Sequence, residues 1–282
     1  MERYIIHDGG MDIRITEWGS KNHPVIFCLH GLGSTSLSFI EVAEKVKNQF
    51  RVISIDAPGH GKSSPFDDPR KYEMPAMAAW LNQIINILEI DRFYFLSHSW
   101  GSFVALFYLL HNPAKVKGSI LIDGGYQTKR LKEESLEDEV AFYLEDYEDF
   151  VDTWEEFLEL DVYGDLRRSA LLDVAAKDLA LEKGGKFYWH TRGKTAGHIV
   201  RAMHKHETMD IYEKLPSNLV LLRATMPIER QEYRDLTSTI FEEKTGAEVK
   251  LISNATHMLH WDFPEIVAEE IREKWTNQTR KN

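Results

Sequence analysis

The chain has 282 residues, 43% hydrophobic and 28% charged, a balance that supports a folded core and excludes a disordered chain. Its 34 Lys and Arg against 45 Asp and Glu give a formal net charge of -11, which disfavours sequence-independent nucleic-acid binding and an anionic membrane surface. A single cysteine, Cys28, rules out an intramolecular disulfide framework and a cysteine-based zinc site. Residues 1–8 contain no apolar signal core, and no run approaches the roughly 18 apolar residues of a membrane span, so a cytoplasmic protein without membrane partners is expected.

Segments 4–6 and 13–18 flank His7-Asp8-Gly9-Gly10 and predict a β-hairpin. Buried strands follow at 24–29 and 51–55, with a helix at 36–47 between them. Met77, Trp80, Leu81, Ile84, Ile85 and Leu88 fall on one face of an amphipathic helix. Strand 93–96 leads to helix 103–110, which Pro113 helps to end, and strand 120–122 closes on Asp123-Gly124-Gly125. Later come strand 219–222, helix 230–243, strand 249–252 and helix 264–275. Strands separated by helices of this length predict right-handed crossovers and a mainly parallel sheet, with the hairpin antiparallel at one edge.

The interval 127–210 breaks this rhythm, shows no convincing strand and reads as several helices inserted between two strands. Residues 133–165 hold 15 acidic residues and no Lys or Arg, whereas 166–206 hold nine Lys and Arg against three acids. Leu136, Val140, Tyr143, Tyr147, Phe150, Trp154, Phe157 and Leu158 keep helical spacing through the acidic stretch, which therefore reads as amphipathic helices with solvated outer faces. Tyr143, Tyr147, Trp154, Phe187, Tyr188 and Trp189 read mostly as core of this insertion, with a minority expected to line a cleft against the sheet.

Ser97-His98-Ser99-Trp100-Gly101 lies between a predicted strand and a predicted helix. A serine on such a turn projects its oxygen above the sheet, small residues two before and two after let the backbone approach, and the helix start aims N–H groups at a developing oxyanion. Ser99 is therefore the candidate nucleophile, while Ser102 falls one turn into the helix. A nucleophilic serine needs a neutral imidazole, and His257, in the loop between the last strand and the last helix, is the best placed of twelve histidines. His260 lies nearer the helix start and suits a wall contact, and His98 reads as structural.

These landmarks resemble the α/β-hydrolase superfamily along nearly the whole chain. His30-Gly31-Leu32-Gly33 follows a strand, Asp56-Ala57-Pro58-Gly59-His60-Gly61-Lys62-Ser63 follows the next, and Asn254-Ala255-Thr256-His257 follows the last. Ser97 replaces the commoner first glycine of the elbow with another small residue. The resemblance implies an α/β-hydrolase fold, an eight-stranded mainly parallel sheet flanked by helices, with a core at 1–126 and 211–282 and a helical cap at 127–210. It implies His257 as general base, amides of Leu32 and Trp100 as oxyanion donors, and His30 as a brace for that loop. It leaves the acid open: the usual place, after the penultimate strand, reads Ala224-Thr225-Met226-Pro227-Ile228-Glu229 without Asp, whereas Asp123 occupies the alternative place at the end of the strand before the cap. Asp123 is preferred, Glu229 is the alternative, and Glu232 and Asp235 stand behind them. Dehalogenases and epoxide hydrolases of this superfamily use an Asp nucleophile, so Ser99 argues against both chemistries.

Other motifs yield less. A phosphate loop would need glycine five residues before Gly61, and that residue is Asp56. His204 and His206 point to opposite sides of a helix and, without a further ligand pattern, make no metal site. The expected activity is cleavage of a carboxylic ester, amide or thioester of a small to medium, largely apolar substrate without metal or organic cofactor. Cofactor-independent C–C hydrolysis, acyl transfer, or a ligand sensor with a retained triad remain as alternatives.

Overall fold

The computed structural model describes residues 1–132, 134–164 and 166–276. Glu133 and Asp165, which bound the acidic stretch, and the last six residues assigned to the core from sequence lie outside the described residues.

Strands β1 (Glu2–Asp8) and β2 (Met11–Trp18) form the hairpin, with Asp8 paired to Met11 across the Gly9-Gly10 turn. β3 (Val25–Leu29) leads through a 3-10 turn at Ser36–Phe39 into α1 (Ile40–Val46), so the helix expected at 36–47 is split in two. β4 (Arg51–Ile55), α2 (Met74–Ile87), β5 (Phe93–His98), α3 (Trp100–His111) and β6 (Val116–Ile122) follow. After the insertion, β10 (Leu219–Ala224), α8 (Gln231–Thr245), β11 (Glu248–Ile252), the short α9 (Leu259–Asp262) and α10 (Pro264–Ile271) complete the chain, α10 continuing as a π-helical turn Arg272–Thr276.

One sheet takes eight strands in the order β1-β2-β4-β3-β5-β6-β10-β11. β2 pairs antiparallel with β1 and β4, and every other pair is parallel. Central strands are apolar on both faces, as a sheet covered by helices on each side requires. Phe27, Leu29, Phe93 and Phe95 pack with residues of α2, α3 and α8, whereas Ile26, Cys28, Tyr94 and Leu96 pack with α1 and α10.

The insertion between β6 and β10 departs from the all-helical expectation. Besides α4 (Leu136–Asp146), α5 (Trp154–Glu156) running into a π-helical turn Phe157–Tyr163, α6 (Ala170–Leu179) and α7 (Gly193–Lys205), it contains β7 (Phe150–Val151), β8 (Ala180–Lys183) and β9 (Lys186–Trp189). These three make a small antiparallel sheet in the order β7-β9-β8. Phe150 thus belongs to a strand, not to a continuous helix. Glu139 also departs from the solvated reading: it is buried, salt-bridged to Lys129 and bonded to His204 Nε2 at 2.6 Å. The insertion packs onto both faces of the large sheet, through Ile199 and Ala202 on one side and Leu172, Ala175 and Ala176 on the other. Among the described residues no helix is long and apolar enough to cross a membrane.

Candidate active site

Ser99 sits between β5 and α3 with φ 50° and ψ -124°, a region non-glycine residues occupy only under strain. Neighbouring backbone holds it there. Its amide donates to Ile122 O at 3.0 Å, at the end of the adjacent strand β6. A Cβ on Gly124 would lie 2.3 Å from Ser99 O, and one on Gly101 would lie 2.4 Å from Leu29 O, so only glycine lets these three chain segments meet at the turn. Ser102 is buried and its Oγ lies 3.0 Å from Ser97 Oγ, below the turn.

The loop after β11 carries His257 to this point. Its Nε2 lies 2.8 Å from Ser99 Oγ and its Nδ1 lies 2.7 Å from Asp123 Oδ2. Asp123 is fully buried, whereas the His257 side chain is 45% exposed, so the open end of the array is the Ser99–His257 pair. Asp123 Oδ1 accepts from Tyr126 Oη–H at 2.9 Å and from the Ala224 amide at 3.1 Å. Arg234 approaches Oδ2 at 3.7 Å. Burial opposes the charge of Asp123 most strongly, but the His257 hydrogen bond and charge, Arg234 and the Ala224 amide prevail and hold the carboxyl below its ordinary range. An ionised Asp123 accepts from Nδ1–H, which leaves His257 Nε2 free to accept from Ser99 Oγ–H.

Sheet register explains why Asp123 reaches His257. Ile122 of β6 pairs with Leu222 of β10, so Asp123 emerges one residue beyond a matched pair and beside the end of β10. A carboxylate after either strand therefore approaches the same point, displaced by one inter-strand spacing of about 4.8 Å. Here β10 contributes the Ala224 amide, and its loop ties down the histidine loop: Thr225 and Met226 amides donate to Ala255 O, and Asn254 N donates to Thr225 Oγ1. Glu229 is exposed on the turn Ile228–Arg230, Glu232 is exposed on α8, and Asp235 accepts from Arg223.

Two supporting groups, Asp262 and Arg234, escaped the sequence reading, and a third, His98, was read there only as structural. Asp262 accepts from the Thr256 amide and hydroxyl at 2.7 and 2.8 Å, clamping the residue before His257 to α9. His98 Nε2–H donates to His257 O at 2.8 Å, joining the elbow to the histidine loop. Arg234 lies buried on α8 and donates to Met226 O. An Asp six residues after Thr256 was the only sequence signal for the first; the other two depend on contacts between distant segments.

Leu32 lies within the turn closed by Ser34 N donating to Gly31 O at 3.2 Å. Trp100 opens α3, so its amide has no acceptor within the helix. His30 braces this region, its Nδ1–H donating to Gly31 O at 2.7 Å and its Nε2 accepting from Ala57 N at 3.0 Å. Tyr147 of the insertion lies against Gly33, so that aromatic residue covers the loop. Asp56 organises the 56–63 turn by accepting from the Ser36 and Lys62 amides at 2.7 and 2.9 Å, leaving it no resemblance to a phosphate cradle. His260 Nε2 bonds Ser38 Oγ at 2.7 Å, and His206 bonds Glu73 at 3.0 Å, on different elements from the Glu139 partner of His204.

This fold and this arrangement of side chains define a recognised class. The chain belongs to the alpha/beta hydrolase fold family, whose model matches residues 24–180, more than half its length. A serine hydrolase-like protein of Danio rerio is 31% identical over 112 residues, 40% of this chain and 34% of that protein, so the match spans about a third of the relative's length. Among solved structures, the thioesterase domain from the curacin biosynthetic pathway is similar with a TM-score of 0.77 at 21% identity, covering 96% of this chain and 99% of that one. E-2-(acetamidomethylene)succinate hydrolase is similar with a TM-score of 0.78 at 18% identity, covering 96% and 98%. At such identities the structural likeness shows the fold.

Proposed function

We propose that the protein is a serine hydrolase that cleaves a carboxylic ester, or an amide or thioester, of a small to medium, uncharged and largely apolar substrate. The observation that carries this reading is the unbroken chain of hydrogen bonds from Ser99 Oγ through His257 to buried Asp123. In this mechanism His257 Nε2 takes the Ser99 proton as Oγ attacks the carbonyl carbon. Charge develops on the carbonyl oxygen, and the Leu32 and Trp100 amides stabilise it. Asp123, ionised, holds the imidazole in the Nδ1–H form and stabilises the imidazolium. His257 then gives the proton to the departing alcohol, leaving an acyl-Ser99. A water molecule, deprotonated by the same nitrogen, attacks this ester and restores Ser99 with release of the acid.

The segment spanning about 127–210 acts as a cap in this reading, and its contact with Gly33 through Tyr147 supports that role. Treating the purified protein with a fluorophosphonate and reading the labelled peptide by mass tests the proposal. Rapid labelling at Ser99, abolished in Ser99→Ala and His257→Ala, is expected. A folded protein that stays unlabelled removes the mechanism.

A further inference from the structure

Trp100 and His60 lie beside the elbow with their rings stacked, centroids 5.5 Å and planes 14° apart. Trp100 is 1% exposed and His60 fully buried, yet Trp100 Nε1 and His60 Nε2 each lack a hydrogen-bond partner among the described residues. Buried polar atoms are seldom left so, because water they have lost is not replaced. Their chemistry is complementary. The indole N–H can only donate. His60 Nδ1–H donates to Pro58 O at 3.1 Å, which fixes the tautomer and leaves Nε2 a bare acceptor. Burial, with the neighbouring His30 adding to it, keeps this imidazole neutral.

The loop bearing His60 is covered by α7 of the cap, since a Cβ on Gly59 would lie 2.9 Å from Thr195 Oγ1. Two unpaired groups therefore lie together where cap meets sheet, one of them on the residue that follows Ser99.

We infer that Trp100 Nε1–H and His60 Nε2 form a subsite for a neutral hydroxyl group on the acyl portion of the substrate. The hydroxyl oxygen accepts from Trp100 Nε1–H, and the hydroxyl O–H donates a hydrogen bond to His60 Nε2. The acyl portion is singled out because it is the part that Ser99 holds, one residue from Trp100. A carboxylate offers His60 Nε2 no proton, and an alkyl group leaves both atoms unpaired. This inference rests on the serine-hydrolase reading and narrows its substrate class to hydroxyacyl esters.

Two matched pairs of 4-nitrophenyl esters test it: 2-hydroxypropanoate against 2-methylpropanoate, and 3-hydroxybutanoate against 3-methylbutanoate. Each pair exchanges hydroxyl for methyl at nearly constant volume, so the ratio of kcat/KM within a pair cancels general damage to the enzyme. In at least one pair the native protein should prefer the hydroxy ester by about tenfold or more. That ratio should fall close to one in His60→Leu and, independently, in Trp100→Phe, with folding of each followed by thermal melting. Turnover of both members at equal rates overturns the subsite while the hydrolase reading stands. A preference that survives both substitutions overturns it as well. Failure to turn over any ester, together with no fluorophosphonate labelling, defeats the hydrolase reading and takes the subsite with it.

Discussion

Asp123 combines two demands that oppose each other, complete burial and a negative charge, and only its partners reconcile them. Asp123→Asn should cost about 10³–10⁴-fold in kcat/KM, because an amide can present N–H to Nδ1 and select the wrong tautomer. Glu229→Gln, on an exposed turn away from His257 Nδ1, should leave ester turnover within about twofold, and comparing the two variants on one ester decides which carboxylate matters. Gly124→Ala places a methyl group against Ser99 backbone and should destabilise the protein by about 2 kcal/mol or more while slowing fluorophosphonate labelling. Unchanged melting and labelling would show that the elbow tolerates the added carbon. Ser99 and His257 could be singled out from sequence because each follows a strand at a fixed point in the order of elements. The acid could not, because two strand ends compete for it and only their pairing shows that both lead to the same place.

At the scale of elements, the large sheet was legible because its strands are apolar runs separated by long helical patterns. The small sheet of the insertion was not. Its strands have two to four residues, too short for an alternation to emerge, and aromatic residues there satisfy helical and strand spacing alike. The acidic run was equally deceptive about Glu139, since charge counts do not say which carboxylate faces inward. Burial works against its charge, but Lys129, Lys132 and the His204 hydrogen bond pull the carboxyl down to about 2. Glu139→Ala leaves Lys129 buried without its partner and should cost about 3 kcal/mol, read as a lower denaturant midpoint. A variant as stable as the native protein would mean that Lys129 turns to solvent.

Across the whole molecule, the buried imidazoles link stability to pH. His30, His60, His98 and His260 are all depressed by burial, His260 to about 3. In the unfolded chain they take up protons below about pH 6.5. The folded protein resists that protonation, so it binds fewer protons and loses stability as pH falls from about 6.5 towards 5, by up to about 1.4 kcal/mol per pH unit for each such group. Asp123 and Glu139, held below their ordinary range, act in the same sense at lower pH, as their carboxylates are protonated. Denaturant titrations at pH 7.5, 6 and 5 should show a steady decline. A flat profile would mean that these rings are protonated in the folded state.

The sequence by itself determined the parallel sheet, the elbow at Ser99 and the loop that carries His257, because strand–helix alternation and turn chemistry are local properties of the chain. It also determined that one insertion would interrupt the sheet. Tertiary structure alone decided which carboxylate meets His257, that Glu139 of the acidic stretch is buried, and which aromatic residue lies on the Leu32 loop. Each of these depends on side chains from segments far apart in sequence, and the distance between such segments is set by strand register and packing rather than by any local pattern.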